Sequence, residues 1–134
     1  MKNINNNRGS GYIDAVIAIL IISLMVAFGI RIYPVFIAKN NLDKFASEVV
    51  REAEITGEIG SSVQNRIDKL KKNLGNIDSI EWKAKKIYGT NKIQLGDSIE
   101  VTVKKEVNIG FFDFGSFPIN LQGKDSGVSE VYWK

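Results

Sequence analysis

The chain of 134 residues contains no cysteine and no histidine, and these absences exclude several kinds of site. Without cysteine there is no disulfide framework and no thiolate zinc site. Without histidine the chain lacks the commonest acid–base group near neutral pH and the commonest metal ligand. The sequence also shows no phosphate-binding glycine motif and no nucleophile paired with a base. We therefore predict neither an enzyme nor a cofactor-binding protein.

Positive charge is concentrated at the N-terminus. The chain carries 18 basic and 15 acidic residues, a balance too even to predict a nucleic-acid-binding protein. The first nine residues contain Lys2 and Arg8 but no acid, and the remainder has 16 basic against 15 acidic residues. The basic excess therefore belongs to a short leader, residues 1–9.

A long apolar run follows the leader. Residues 15–30 form a stretch of 16 without a charge, which spans about 24 Å as a helix. A bilayer crossing needs roughly 20 residues, and the apolar character resumes after Arg31, whose long side chain can reach the interface. Residues 39–60 then carry three basic and five acidic residues. The positive-inside rule predicts a cytoplasmic leader and an external C-terminal part.

Three fates of this N-terminus compete. A secretory signal peptide would be cut after small residues near Ala27 and Gly29, but an acid at the start of the run and a helical pattern that continues past Gly29 argue against it. An uncut signal anchor needs nothing more than what is present. The third fate is removal of the leader after Gly9, which places Asp14 at the fifth position of the mature chain.

The order Gly9, Ser10 and Asp14 before an apolar helix resembles the class III signal of type IV pilin-like proteins, particularly the tight-adherence (TadE-like) pseudopilins. A small uncharacterised TadE-related family of Gram-positive bacteria is similar over the segments RGSGYIDAV, YPVFIAKNNLDKFASEVVREAEITG and GSFPINLQGKDSGVSEVYWK. The resemblance implies cleavage between Gly9 and Ser10 by a prepilin peptidase. It also implies an assembly role for Asp14, which stands where those signals usually carry glutamate.

A carboxylate beside a membrane helix needs a physical reason, because an unpaired one costs about 2.5–3.5 kcal/mol at the bilayer centre. Cleavage after Gly9 would expose an α-amine on Ser10, roughly one helical turn from Asp14. In a filament that amine, from the same or a neighbouring subunit, can pair with the carboxylate and fix the register of assembly. The alternative is that Asp14 only supplies an acid to the first helical turn, where the helix dipole favours it.

The helix is predicted to continue beyond the membrane segment. A stripe of apolar residues repeats at steps of three and four, at Val35, Ala38, Leu42, Phe45, Val49 and Ala53. Pro34 removes one helical hydrogen bond and predicts a kink between the two halves. Gly57 and Gly60 end the helix, and the capping-box pattern SSVQ at residues 61–64 opens a second helix that ends at Gly75.

The last part of the chain shows the two-residue alternation of strands. We predict strands at residues 80–88 and 99–107, a short one at 92–97, and a strand or interrupted pair over 117–133 broken around GKDSG. The predicted fold class is α+β: a long N-terminal membrane-spanning helix that continues into an amphipathic helix, a short second helix, and a small antiparallel sheet of three to four strands. This arrangement of an apolar stem and an α+β head resembles the lollipop shape of pilins.

The predicted regions are a basic leader at residues 1–9, a transmembrane and assembly helix at 10–38, and an extracytoplasmic α+β domain at 39–134. Residues 61–134 alone make a thin core. We therefore expect the second half of the long helix to pack on the sheet.

An aromatic cluster lies in the segment GFFDFGSF, residues 110–117, which reads as a loop. Its phenylalanines either form an exposed patch for a partner subunit or cap the open end of the sheet; they are Phe111, Phe112, Phe114 and Phe117. For Trp82, Tyr132 and Trp133 we expect packing rather than a ligand cage.

Two functions fit these features. In the first, the chain is a non-enzymatic pilin-like (pseudopilin) subunit, inserted in the cell membrane, cleaved after Gly9 and assembled into a surface pilus or secretion pseudopilus. Its partners would be other pilin-like subunits, a prepilin peptidase and the membrane, with no nucleic acid and no cofactor. In the second, it is an uncleaved single-pass accessory protein of an envelope or conjugation machine.

Overall fold

The fold is α+β, as predicted, with two helices followed by a three-stranded sheet. The computed structural model describes residues 10–110 and 115–134. The elements are α1 (Ser10–Thr56), α2 (Ser61–Leu74), β1 (Ser79–Ala84), β2 (Ser98–Gly110) and β3 (Ser116–Val128). The chain divides into two compact units, an N-terminal unit up to Pro34 and a C-terminal unit from Val35 to Lys134.

Helix α1 is 47 residues long and contains Pro34 in its interior. Helical structure is present on both sides of this proline, and the kink there remains a prediction. The helix ends at Thr56, as predicted, because Gly57 adopts a φ of +64° and its N–H donates to the carbonyl of Ala53 over 2.9 Å. A left-handed residue at this position is a common helix stop, and glycine adopts it without steric cost.

Helix α2 is confirmed, but its predicted capping box is wrong. The N-cap is Gly60, one residue before the SSVQ pattern, and it makes no side-chain cap hydrogen bond. The N–H of Gln64 instead donates to the carbonyl of Gly60 over 3.1 Å. The helix ends at Gly75, as predicted, where φ is +93°. Its buried residues are Val63, Ile67 and Leu70.

The sheet is antiparallel with the order β1-β2-β3. The prediction of a first strand reaching residue 88 is wrong, because β1 ends at Ala84. The predicted short strand at 92–97 is reduced to two isolated bridges, Glu58↔Lys92 and Lys86↔Ile93, around a turn at residues 87–90. The predicted break at GKDSG is also wrong, because β3 runs through it to Val128.

The hydrophobic core of the C-terminal unit combines the second half of α1, the inner side of α2 and one face of the sheet. Its buried members are Leu42, Phe45, Ala46, Val49, Val50, Ala53, Val63, Ile67, Leu70, Ile93, Ile99, Val101 and Val103. The expectation that the second half of the long helix packs on the sheet is confirmed. Half-buried Trp82 packs against this core, as expected.

Strand β3 continues through glycines because the backbone of α1 lies against it. A Cβ added at Gly123 would lie 2.5 Å from the carbonyl carbon of Leu42 and 2.9 Å from the amide nitrogen of Asp43. Nearby, the ammonium of Lys39 donates to the carbonyl of Gln122 over 2.7 Å. Only glycine leaves room for this approach, which explains why a strand runs through a sequence that resembles a turn.

Candidate functional site

The first half of α1 is exposed around its whole circumference. Every residue from Gly11 to Pro34 is exposed except Ala27 and Ile32, which are half-buried. The large apolar side chains with substantial exposure here are Tyr12, Ile13, Val16, Ile17, Ile19, Leu20, Ile21, Ile22, Leu24, Met25, Val26, Phe28, Ile30 and Tyr33. By length and composition this is a candidate membrane span, and it is compatible with a membrane anchor.

The predicted processing and assembly residues stand at the start of α1. Gly9 lies outside the described residues, while Ser10 is the first residue of the helix. Asp14 lies four residues later, about 6 Å along the helix axis, and its side chain is exposed. The helix therefore places Asp14 within about one turn of the α-amine that cleavage after Gly9 would create.

The predicted phenylalanine patch is described only in part. Phe111, Phe112 and Phe114 lie outside the described residues. Phe117 is the second residue of β3, is paired with Ile109 and has 62% of its surface exposed. The partner patch and the cap on the sheet both stay predictions for this cluster.

The C-terminal tail is fixed by its last tryptophan rather than by a strand. The indole of Trp133 donates to the carbonyl of Gly57 over 3.1 Å, and its ring lies 4.0 Å from the ammonium of Lys92. The side chain of Gln94 accepts from the N–H of Trp133 and donates to its carbonyl, at 2.8 and 3.0 Å. Trp133 thus packs as expected, whereas Tyr132 is exposed.

A charged cluster, missed by sequence reasoning, links α1 to this tail. Arg51 donates to Glu130 over 2.7 Å and to Glu54 over 3.1 Å. Hydrogen bonds to Glu130 first and to Glu54 second raise the pKa of the Arg51 guanidinium above its usual value. Glu54 also accepts from the N–H of Val128 over 3.0 Å. Glu130 is 79 residues from Arg51 in the chain, so no local pattern could have indicated this contact.

Residues 19–134 match the family model described as a domain of unknown function, DUF4320. The chain belongs to the DUF4320 family. No curated protein and no solved structure matches it. The matched region contains the whole C-terminal unit and most of the apolar run, and it begins after Gly9 and Asp14.

The C-terminal unit of this DUF4320 chain contains a groove between α1 and α2. It has a volume of about 670 Å³ and is lined by Lys44, Ser47, Glu48, Arg66, Lys69, Leu70, Lys72, Asn73 and Leu74. We call it the basic groove. Arg66 is bonded to Glu48, and that hydrogen bond is the main cause of the raised pKa of Arg66. Sequence reasoning missed this groove, although Lys69 and Lys72 have the three-residue spacing that places them on one side of α2.

Proposed function

We propose that this DUF4320 protein is a pilin-like (pseudopilin) subunit without enzymatic activity. The first half of α1 would hold it in the cell membrane, with the leader cytoplasmic and the C-terminal unit outside. After cleavage at Gly9, the same helix would assemble with other pilin-like subunits into a surface pilus or secretion pseudopilus.

The observation that carries the proposal is the exposure of an apolar segment that continues, as one helix, into an α+β unit. An apolar helix in the core of a soluble protein would be largely buried, whereas the apolar segment of α1 is 0% buried. A helix that is apolar on all sides requires a bilayer or other apolar helices around it. The bilayer would surround the helix before assembly, and the apolar helices of neighbouring subunits would surround it in the filament.

Asp14 supports the assembly step. In the membrane its carboxylate lies near the end of the helix, where a charge costs less than at the bilayer centre. In a filament it would be surrounded by neighbouring helices, and the Ser10 α-amine would be its partner. A subunit inserted in the wrong register would leave both charges without a partner, which is strongly unfavourable in an apolar setting.

An uncleaved accessory protein of an envelope or conjugation machine is the second candidate. One observation favours it: the family match begins at Ile19, so neither Gly9 nor Asp14 belongs to what the chain shares with the family model. A permanent anchor requires only the apolar segment. The two functions therefore differ in whether the leader is removed and whether Asp14 is needed.

The deciding experiment is mass spectrometry of the N-terminal peptide of the protein from its native host. A start at Ser10 supports the pilin-like function, whereas an intact Met1 end supports the anchored accessory protein. A start near Ile30 would contradict both, because the span would have been removed as a signal peptide. Gly9→Leu should block the cleavage and retain the full-length chain in the membrane.

The role of Asp14 is tested by Asp14→Ala, with Asp14→Glu as the variant that keeps the carboxylate. We expect Asp14→Ala to reduce the filament fraction recovered by shearing at least tenfold and Asp14→Glu to retain it. Ser23→Ala is the matched control, because Ser23 is a polar residue of the same span whose hydroxyl donates to the carbonyl of Ile19 in its own helix, over 2.8 Å. Normal assembly of Asp14→Ala would contradict the pairing.

A further inference from the structure

The basic groove carries an excess of positive charge that the described residues, 10–110 and 115–134, do not neutralise. Four of its lining residues are basic, at Lys44, Arg66, Lys69 and Lys72, against one acid, Glu48. Glu48 is bonded to Arg66. Within the part of the chain that the structure describes, the three lysines form no ion pair. An anion placed in this groove would meet three unpaired ammonium groups.

The end of α2 explains only part of this charge. Cations in the last turn of a helix stabilise it by offsetting the negative end of the helix dipole, and Lys71 and Lys72 fill that role. Lys44 belongs to α1, and Lys69 precedes the last turn. Their convergence on the same groove therefore needs another reason.

The groove also has an apolar floor. Leu70 is 7% exposed and Leu74 is half-buried, and both line the groove beneath the basic side chains. Ser47 and Asn73 add neutral hydrogen-bonding groups at its wall. A cationic rim above apolar side chains suits a phosphate carried on an apolar molecule better than it suits a bare inorganic ion.

Within the C-terminal unit, the groove lies toward the end at which Val35 begins. The apolar stretch within this unit ends at Phe36 and Ile37, which are 69% and 45% exposed. Lys44 follows Ile37 by seven residues, or about 10 Å along the helix. Helix α2 runs back along α1, because only residues 57–60 connect the two helices and Arg66 contacts Glu48. The lysines of α2 are therefore near the same end.

These distances match the dimensions of a membrane surface. The polar headgroup layer is roughly 5–8 Å thick on each side of the hydrocarbon core. A lysine side chain about 10 Å beyond the last apolar residue reaches that layer, and it lies within about one Debye length of the lipid phosphates. Juxtamembrane lysines are attracted to anionic lipids in this way.

We propose that the basic groove binds the phosphate headgroup of an anionic phospholipid in the membrane that holds α1. Lys44, Lys69 and Lys72 supply the positive charge, and Leu70 and Leu74 contact the apolar part of the lipid next to the headgroup. Bound lipid would fix the C-terminal unit against the membrane surface. The proposal rests on the membrane insertion in the proposed function, but not on cleavage at Gly9 or on filament assembly.

The test uses the full chain in nanodiscs of neutral phosphatidylcholine with increasing phosphatidylglycerol. Because the chain has no cysteine, Ser47→Cys provides a single attachment point for an environment-sensitive fluorophore in the groove wall. We expect a saturable change in fluorescence that requires phosphatidylglycerol and weakens as salt rises from about 50 to 300 mM.

Charge variants identify the residues responsible. Replacing Lys44, Lys69 and Lys72 together with glutamine should raise the phosphatidylglycerol fraction needed for half of the response more than tenfold. The matched control replaces Lys83, Lys85 and Lys86 with glutamine, which removes the same charge from an exposed surface elsewhere, and should shift this fraction less than about twofold. Far-UV circular dichroism checks that both triple variants are folded.

Four other results would overturn the proposal. In the first, the fluorescence of the inserted protein does not respond to phosphatidylglycerol. In the second, the groove variant responds like wild type. In the third, both triple variants lose the response equally. In the fourth, inorganic phosphate at millimolar concentration produces the full change in neutral nanodiscs, which assigns the groove to a soluble anion. Failure of the chain to enter nanodiscs would instead contradict the membrane insertion in the proposed function, and the lipid site with it.

Discussion

Replacing Gly123 with alanine introduces a methyl group where β3 meets the backbone of α1. The new Cβ would lie 2.5 Å from the carbonyl carbon of Leu42, whereas ordinary van der Waals contacts begin at 3.4 Å. Strand and helix must therefore separate by about 1 Å. Because the opposing atoms are backbone, no side-chain rotation relieves the contact.

The expected cost follows from the position of Gly123 beside the core. Forcing extra volume into a packed interior costs about 1–3 kcal/mol, and we expect Gly123→Ala to lie in the upper half of that range. For a unit of about 100 residues, each kcal/mol lowers the melting temperature by about 4–8 °C. The variant should therefore melt roughly 10–20 °C below wild type.

The assay is thermal unfolding of the full chain in detergent, followed by tryptophan fluorescence. Both tryptophans, Trp82 and Trp133, lie in the C-terminal unit, so the signal reports the unfolding of that unit and not of the apolar segment. Two matched glycine variants calibrate the result. At Gly110, in the same hairpin, an added Cβ meets nothing within 4 Å, so Gly110→Ala should be nearly neutral.

At Gly127 the three atoms nearest to the added Cβ all belong to the side chain of Glu54, which can turn away but then loses its bond to the N–H of Val128. We expect an intermediate cost of about 1 kcal/mol there, the value of one hydrogen bond. The order of destabilisation is then Gly123→Ala, Gly127→Ala, Gly110→Ala. A melting temperature for Gly123→Ala within about 2 °C of Gly110→Ala would refute the close approach of β3 to α1.

Two further predictions concern the pair Phe45 and Phe36 on α1 and the contact between Gln94 and Trp133. Phe45→Ala should destabilise the C-terminal unit by about 3–5 kcal/mol in chemical denaturation, because Phe45 is 1% exposed. Phe36→Ala, on the same helix, should change the stability of the unit little, because Phe36 is 69% exposed. Equal effects would mean that the assignment of the core face is wrong. Gln94→Ala removes both hydrogen bonds between its side chain and the backbone of Trp133 and should release the C-terminal tail, which limited proteolysis detects as faster loss of the last residues. Unchanged proteolysis would show that Trp133 holds the tail without Gln94.

The sequence predicted the elements whose buried face is encoded by local spacing. Leu42, Phe45, Val49 and Ala53 repeat with the helical period and are all buried. The alternation at Ile99, Val101 and Val103 likewise predicted the core face of β2. In both cases the pattern of burial is set by neighbours a few residues away, so the sequence alone was sufficient.

The errors arose where distant parts of the chain determine the local structure. Gly123 and Gly127 resemble turn residues, and it is helix α1, about 70–80 positions earlier, that makes glycine suitable there. At Gly123 the nearest atoms are the α1 backbone, and at Gly127 they are the side chain of Glu54. The basic groove has the same origin, because Lys44 reaches Lys69 and Lys72 only through the antiparallel packing of α1 and α2. The N-cap at Gly60 was missed because the capping box is a correlation with sequence, not a requirement.

The attachment of the tail beside the end of α1 has a mechanical consequence. Gly123 lies against Leu42, and the N–H groups of Val128 and Glu130 bond to Glu54, so β3 and the second half of α1 run side by side in the same direction. A force that pulls Val35 and Lys134 apart would slide these two elements past each other. This loads all contacts between the two elements in shear, so they resist the force together. The C-terminal unit should therefore withstand tension along α1 better than tension across it.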